Sequence, residues 1–462
     1  MTPVEKQRVG LMFLLIMTLA LTARVLSSAD AGSTLAYVFG TIACIAAFMN
    51  AEIAIHFLII AMLLSPEVDV GGSTQGATLG RSVTLRLDDI LLLIICFTWF
   101  IRSVLYKEIS LLKRTPLNGA MYLYATVAVF STMMGMSNGN VDVKTGSLFV
   151  LKYIEYFLVF WMVINTAQEE SQMRRFLLVV MLVAVIVTVT AIAQVPQGHR
   201  VSAPFEGKDG EPNTLGGYLL FMMSILGGIV LVRSPFRLMA GILLVMMSIA
   251  FMYTLSRASY LALAPVALIV PFLLRRFYLV VGVLIVGLAL VTFAEALLPA
   301  IVYDRVAYTF TQTSTHSAQV TLLGKRVDTS TSARLIYMQY AFDAFSERPF
   351  FGWGVTGWHF LDAQYFRTLA ETGLVGLASF LFLLFRVIQI TFRTFNKLHD
   401  RDPLYQAVAA GFIGGTVGLM IHAIGSNTFI IIRIMEPFWL MCGLVYLMPS
   451  LSAPAAEQAV AA

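Results

Sequence analysis

Between Ser332 and Gly373 the chain carries residues able to move a proton and to hold an anion. Asp362 and His359 are among the groups there that can take a proton from a hydroxyl. Arg334 and Arg367 flank them, and Arg257 and Arg200 lie upstream at the edges of apolar runs. A guanidinium offers a planar fork of donors matched to phosphate oxygens and stays charged at any working pH. Several such forks beside lipid suit an anionic headgroup, a diphosphate above all. Arg257 and Arg334 are the expected diphosphate contacts, with Arg367 and Arg200 after them. Each has a plainer reading: a helix N-cap for Asp362, packing between Trp358 and Phe360 for His359, an exposed loop position for Arg305.

Other ionisable groups lie inside apolar runs, where they are expensive and mark function by default. Lys152 and Glu155 are spaced to share one helical face, as are Arg433 and Glu436. Both pairs read as structural supports before substrate contacts, alongside Glu371. Asp88, Asp89 and His422 fall near the same end of their runs, and the aspartates read as interfacial. Six histidines without HExxH and three cysteines inside apolar runs give no metal-ligand spacing, so neither metal nor cofactor is expected. No Walker-type phosphate loop occurs, and no basic stripe with interleaved aromatics points to nucleic acid.

The elements that must position these residues are membrane helices. Of 462 residues, 58% are hydrophobic and 12% charged, and mean hydropathy is +0.82. Soluble domains carry about 25% charged residues, so lipid is the solvent for most of the length. Apolar runs at 9–27, 33–49, 51–65, 87–105, 117–136, 147–166, 176–195, 214–232, 238–255, 258–274, 277–297, 372–394, 405–425 and 428–448 predict a polytopic all-α bundle of about 12–14 spans. The first run follows Lys6 and Arg8 and reads as a retained signal anchor. With the N-terminus inside, the loops bearing Arg174 and Arg175, Arg233 and Arg237, Arg275 and Arg276, and Arg393, Lys397 and Arg401 all fall on the inner side.

That orientation divides the chain into N-terminal spans (1–195), central spans (196–297), a large outer loop (298–371), C-terminal spans (372–450) and a disordered tail (451–462). Within the outer loop, the Thr329–Ser332 cluster reads as an N-cap. Leu335, Met338, Phe342 and Phe345 then recur at helical spacing, predicting an amphipathic helix on the membrane surface that Pro349 ends.

Over residues 195–445 the chain resembles the O-antigen ligase and O-antigen polymerase family of bacterial envelope glycosyltransferases. The resemblance is carried by Arg200-Val-Ser-Ala-Pro204-Phe with Pro212-Asn213, by Leu255-Ser256-Arg257-Ala258 and by Ala333-Arg334. Pro349-Phe-Phe-Gly352-Trp-Gly354 and Leu369-Ala-Glu371-Thr-Gly373-Leu-Val-Gly376 complete it. The family's reactive pair is usually His-Asn, eleven residues before the glycine of a Glu-Thr-Gly-like turn; here that position reads Asp362-Ala363, so the resemblance implies Asp362 as the first expected base and His359, one helical turn earlier in a helical segment, as the second. The resemblance implies a GT-C-like, metal-independent, inverting transfer of glycan from an undecaprenyl-diphosphate donor at the outer leaflet of the bacterial inner membrane. Both termini would be cytoplasmic and the active face periplasmic. Membrane lipid, a chain-length regulator and a flippase are the partners such an enzyme would meet. The missing His-Asn pair favours a polymerase of lipid-linked repeats over a ligase. A lipid or polysaccharide transporter is the reading from a different class, with a non-catalytic assembly scaffold after it.

Overall fold

The computed structural model describes residues 50–65, 67–69, 84–86, 92, 95–96, 113–206, 210–311, 320–322, 325–399 and 401–452. The expected spans at 9–27 and 33–49, most of that at 87–105, Asp88, Asp89 and nearly all of the tail lie outside the described residues.

Thirteen α-helices follow one another among them: α1 (Ala51–Leu64), α2 (Asn118–Ser137), α3 (Val143–Thr166), α4 (Glu170–Gln194), α5 (Pro212–Val230), α6 (Arg237–Tyr253), α7 (Arg257–Leu273), α8 (Phe277–Leu297), α9 (Ala300–Thr311), α10 (Thr329–Glu347), α11 (Gln364–Lys397), α12 (Pro403–His422) and α13 (Ile432–Leu451). Two short antiparallel ladders, Glu67–Asp69 with Thr84–Arg86 and Thr321–Leu322 with Lys325–Arg326, are the strands among the described residues. Eight helices (α2, α3, α4, α5, α8, α11, α12 and α13) are long and apolar enough to cross a membrane; α1, α6 and α7 are shorter apolar helices. The chain is a polytopic all-α membrane protein.

Several helices begin earlier than hydropathy alone predicts, because their first turns are polar and capped. Asp142 accepts the Thr145 N–H at 2.8 Å and starts α3. Glu169 and Gln172 form a capping box that starts α4. Inside the bundle, glycines on α12 let helices close in: a Cβ at Gly411 would sit 2.5 Å from the Ile225 Cα of α5, and one at Gly418 would sit 2.5 Å from Val266 of α7.

The two ends of the bundle differ. At one, Arg175 pairs with Glu52 at 2.6 Å, and Arg174 with Glu170 at 2.7 Å beside Tyr405. The other end carries α9, α10 and the first turns of α11.

Two expectations for that outer segment change. The N-cap of α10 is Asp328, which accepts the Thr331 N–H, rather than the Thr329–Ser332 cluster. Its buried face is Ser332, Ala341 and Ala344, whereas Phe342, expected on an apolar stripe, is 54% exposed. Small side chains let α10 close against Leu361 and Ala370, which turns the bulky ones outward.

α11 is broken at Gly373 (φ 66°, ψ −165°), a conformation reserved almost wholly for glycine. A Cβ there would meet the Phe350 backbone at 2.4 Å. Gly373→Ala should therefore lower the unfolding midpoint in detergent, by about 1–3 kcal/mol of strain plus the clash. Gly227→Ala, with nothing within 4 Å, should leave the midpoint unchanged or raise it. Thermal unfolding of the two purified variants checks both.

Candidate active site

Arg200, Asn213, Leu255, Arg257, Ala258, Arg305, Ser330 and Arg334 line one pocket. Its walls come from five places in the chain. Arg200 lies in the loop after α4, Asn213 in the first turn of α5, and Arg257 is the first residue of α7. Arg305 projects from α9 and Arg334 from α10.

Each wall is fixed by a local reason. Ser256 caps α7, accepting the Ser259 N–H at 3.4 Å, and its hydroxyl donates to Asn213 Oδ1 at 2.8 Å. Arg257 donates to Asp328 at 2.7 Å and to the Thr309 hydroxyl at 2.6 Å, tying α7 to α9 and to the cap of α10. Arg200 donates to Thr254 O at 3.0 Å and Leu255 O at 3.4 Å. Leu255 sits at φ +50°, a left-handed value costly for a leucine, so surrounding contacts must hold it there.

The pocket is electropositive. Burial, then Arg305, Arg257 and Arg334, push Arg200 down to about 10. Burial also lowers Arg305 and Arg334, with neighbouring Arg257 adding to both. Burial would raise Asp328, but the Arg257 hydrogen bond holds it below the ordinary carboxylate range. The Asp362 carboxylate is near enough to Arg334 to favour its charge. Among the described residues, four guanidiniums thus stand with two carboxylates, Asp328 and Asp362, leaving two positive charges in excess. Moreover, Nε of Arg305 and Nε of Arg334 are buried with no hydrogen-bond partner among the described residues. Orphaned charged donors in a cleft call for an anionic acceptor.

Asp362 is half-buried two residues before α11, whose N-cap is Ala363. Its segment is pinned from behind: Asn427 Nδ2 donates to Leu361 O at 2.8 Å, Gln364 N–H to Ala423 O at 3.1 Å, and Phe429 N–H to Gln364 Oε1 at 3.0 Å. His359 is exposed, 6.2 Å from the Tyr340 ring, in a stretch that is not helical. It therefore does not stand one helical turn from Asp362.

Arg367 is not in the pocket. It forms a buried ion pair with Glu371 at 2.9 Å, with side chains 6% and 8% exposed. Glu371 Oε1 also accepts the N–H of Thr356, a residue at φ +68°, and the Glu371 carbonyl accepts from Ser131 at 2.8 Å. This pair braces the Pro349–Gly354 turn against α2. Gly352-Trp-Gly354-Val-Thr-Gly357 spells the spacing of a dinucleotide loop, but it follows a helix instead of a strand, so the context for that motif is missing.

The remaining expected supports sit deeper. Arg433 is buried on α13 and donates to the carbonyls of Leu63 (3.3 Å), Pro204 and Phe205 (3.3 Å). Glu206 lies 3.8 Å from it. Glu436 is buried three residues on, and Lys152 and Glu155 are half-buried on α3.

Sequence reasoning missed Glu206 and gave Arg305 to an exposed loop. Val302, Val306 and Thr309 recur at helical spacing around Arg305, a signal that could have placed it on a helix flank. His422, read from the sequence only as a span-end residue, is fully buried, its Nδ1 2.7 Å from the Thr428 hydroxyl and its Nε2 without a partner among the described residues.

Burial raises Glu206 to about 7, with Arg433 opposing. Between the ordinary carboxylate value of 4.5 and about 7, the folded chain holds a proton that the unfolded chain has released. Stability should therefore fall as pH rises through that window. Glu206→Gln should remove this slope, read from unfolding midpoints at pH 5 to 8.

Residues 242–381 match the family model described as O-Antigen ligase. The matched stretch holds Arg257, Arg305, Arg334, Asp362, Arg367 and Glu371, while Arg200, Asn213 and Arg433 lie outside it. No match was found among curated proteins.

Proposed function

We propose that this chain, as a member of the O-antigen ligase and polymerase family, joins undecaprenyl-diphosphate-linked oligosaccharide repeats into a longer glycan. The family match supports a membrane glycosyltransferase acting on a lipid-linked glycan. The finer reading rests on one observation: four arginines from separate elements converge on one pocket with two orphaned donors. An excess of two positive charges complements a diphosphate diester.

In the proposed step, an acceptor hydroxyl attacks the anomeric carbon of the donor from the face opposite the diphosphate. The new C–O bond forms as the old one breaks, and the bonding pair leaves on the diphosphate. Arg257, Arg334, Arg305 and Arg200 stabilise that charge as it develops. Asp362 takes the acceptor proton. Arg367 and Glu371 hold the turn that frames the site, and Arg433 holds the loop that brings Arg200 in.

Polymerisation is favoured over ligation because Asp362-Ala363 stands where ligases carry His-Asn. The pocket lies at one end of the bundle rather than midway along it, which speaks against a transport path. The arginine-bearing loops at the opposite end support a cytoplasmic assignment for that end and a periplasmic one for the site. A flippase delivering lipid-linked repeats and a regulator of chain length would act on either side of this step.

The test is transfer by the purified chain on lipid-linked repeats, native against Asp362→Asn. The expected result is elongation by the native chain and a loss of about 10²–10⁴-fold in the variant, with donor binding retained. Equal elongation by both would remove Asp362 as the base.

A further inference from the structure

The arginine pocket accounts for the leaving diphosphate, but the acceptor glycan also needs a seat, and an aromatic cluster carried by some of the same segments has no role so far. Trp353 and Trp358 pack with ring centroids 4.6 Å apart, and His359 lies 5.2 Å from Trp358 and 6.2 Å from Tyr340. Trp353 is engaged: its indole N–H donates to Ala344 O at 3.1 Å, and the Arg348 guanidinium lies 3.9 Å over its ring. Trp358 differs, because its indole N–H is buried with no hydrogen-bond partner among the described residues. An orphaned buried donor in a folded protein needs a reason. His359 and Tyr340, by contrast, offer exposed ring surface.

The cluster shares its segments with the site: α10 carries both Arg334 and Tyr340, and the stretch before α11 carries both His359 and Asp362. Tyr340 follows Arg334 by six residues on α10, about 9 Å along the helix axis, and His359 precedes Asp362 by three.

We propose that Trp358, His359 and Tyr340 form a platform that seats a sugar ring of the acceptor glycan, with the Trp358 N–H donating to one of its hydroxyl oxygens. The proposal rests on the glycosyl-transfer reading. A pyranose carries a patch of C–H bonds on one face and hydroxyls around its rim. The electron-rich faces of aromatic rings attract such polarised C–H groups, and the N–H takes up a rim oxygen. Exposed aromatics also anchor proteins in the lipid headgroup layer, but there the polar tip is kept wet. Here the Trp358 N–H is turned away from solvent, and the rings pack on one another.

The experiment is tryptophan fluorescence of the full chain in lipid nanodiscs, with two probes used separately. One is a set of oligosaccharides released by mild acid from the host's own envelope polysaccharide; the other is brominated lipid. The expected result is a saturable response to the oligosaccharides, of which Trp358→Phe removes a part. Tyr340→Ala should weaken apparent affinity about two- to tenfold. Brominated lipid should leave the contribution of Trp358 intact. A lipid-quenched Trp358, or an oligosaccharide response identical in native chain and both variants, overturns the platform. Glycan length in cells carrying Arg334→Ala separates the two readings. Polymer lost there, with an unchanged response in Tyr340→Ala, sinks the platform alone; polymer retained there sinks the transfer reading beneath it.

Discussion

Membranes from cells carrying Arg334→Ala in place of the native chain should lack long polymer and accumulate single lipid-linked repeats. Loss of one preorganised donor to a developing oxyanion costs about 10²–10³-fold in rate, enough to empty the long-chain end of the distribution. The variant should still fold. The Arg334 side chain donates to the Ser330 hydroxyl at 3.2 Å, and its Nε has no partner among the described residues. Arg257 is a poorer probe, because removing it would strand buried Asp328. Arg334→Lys should recover little, since an ammonium cannot reproduce the planar fork. Immunoblots for expression and insertion, read beside the glycan ladder, separate loss of chemistry from loss of protein.

Arg367→Met should act through stability instead. It leaves Glu371 buried without its cation, and breaking a buried pair from one side costs about 3–5 kcal/mol. The turn at Thr356 and the backbone of Phe351 and Glu371, which Ser131 ties to α2, would lose their brace. The double variant Arg367→Met with Glu371→Gln should recover a large part of the loss, because no buried charge remains. Unfolding midpoints of native, single and double variants measure this. A single variant as stable as the native chain would contradict the bracing role.

The outline of this molecule was legible from its apolar runs, since lipid requires helices about 20 residues long. Arg257 and Arg334 were legible as well: Arg257 opens α7 and Arg334 lies in the second turn of α10, on the side that the arginine bias of the loops disfavours. Arg367 was misplaced although its cue was present, for Glu371 stands four residues on, the spacing of a helical ion pair. Arg305 and Glu206 were harder. Arg305 gains its place because α9 comes within reach of Arg257 through Thr309, and Glu206 because Arg433 reaches it from the last helix. Both depend on contacts between distant parts of the chain, which local pattern does not carry. The face of α10 was misread for a related reason. Hydropathy ranks Phe342 above Ala341 and Ala344, whereas close helix approach in lipid favours the small side chains.

The most direct measurement is calorimetric titration of the purified chain with inorganic pyrophosphate, native against Arg334→Ala and Arg305→Ala. The account predicts one site in the native chain, weakened by added salt and lost or greatly weakened in both variants. Absence of binding, or binding that neither substitution alters, would contradict the assignment of the arginine pocket to a diphosphate.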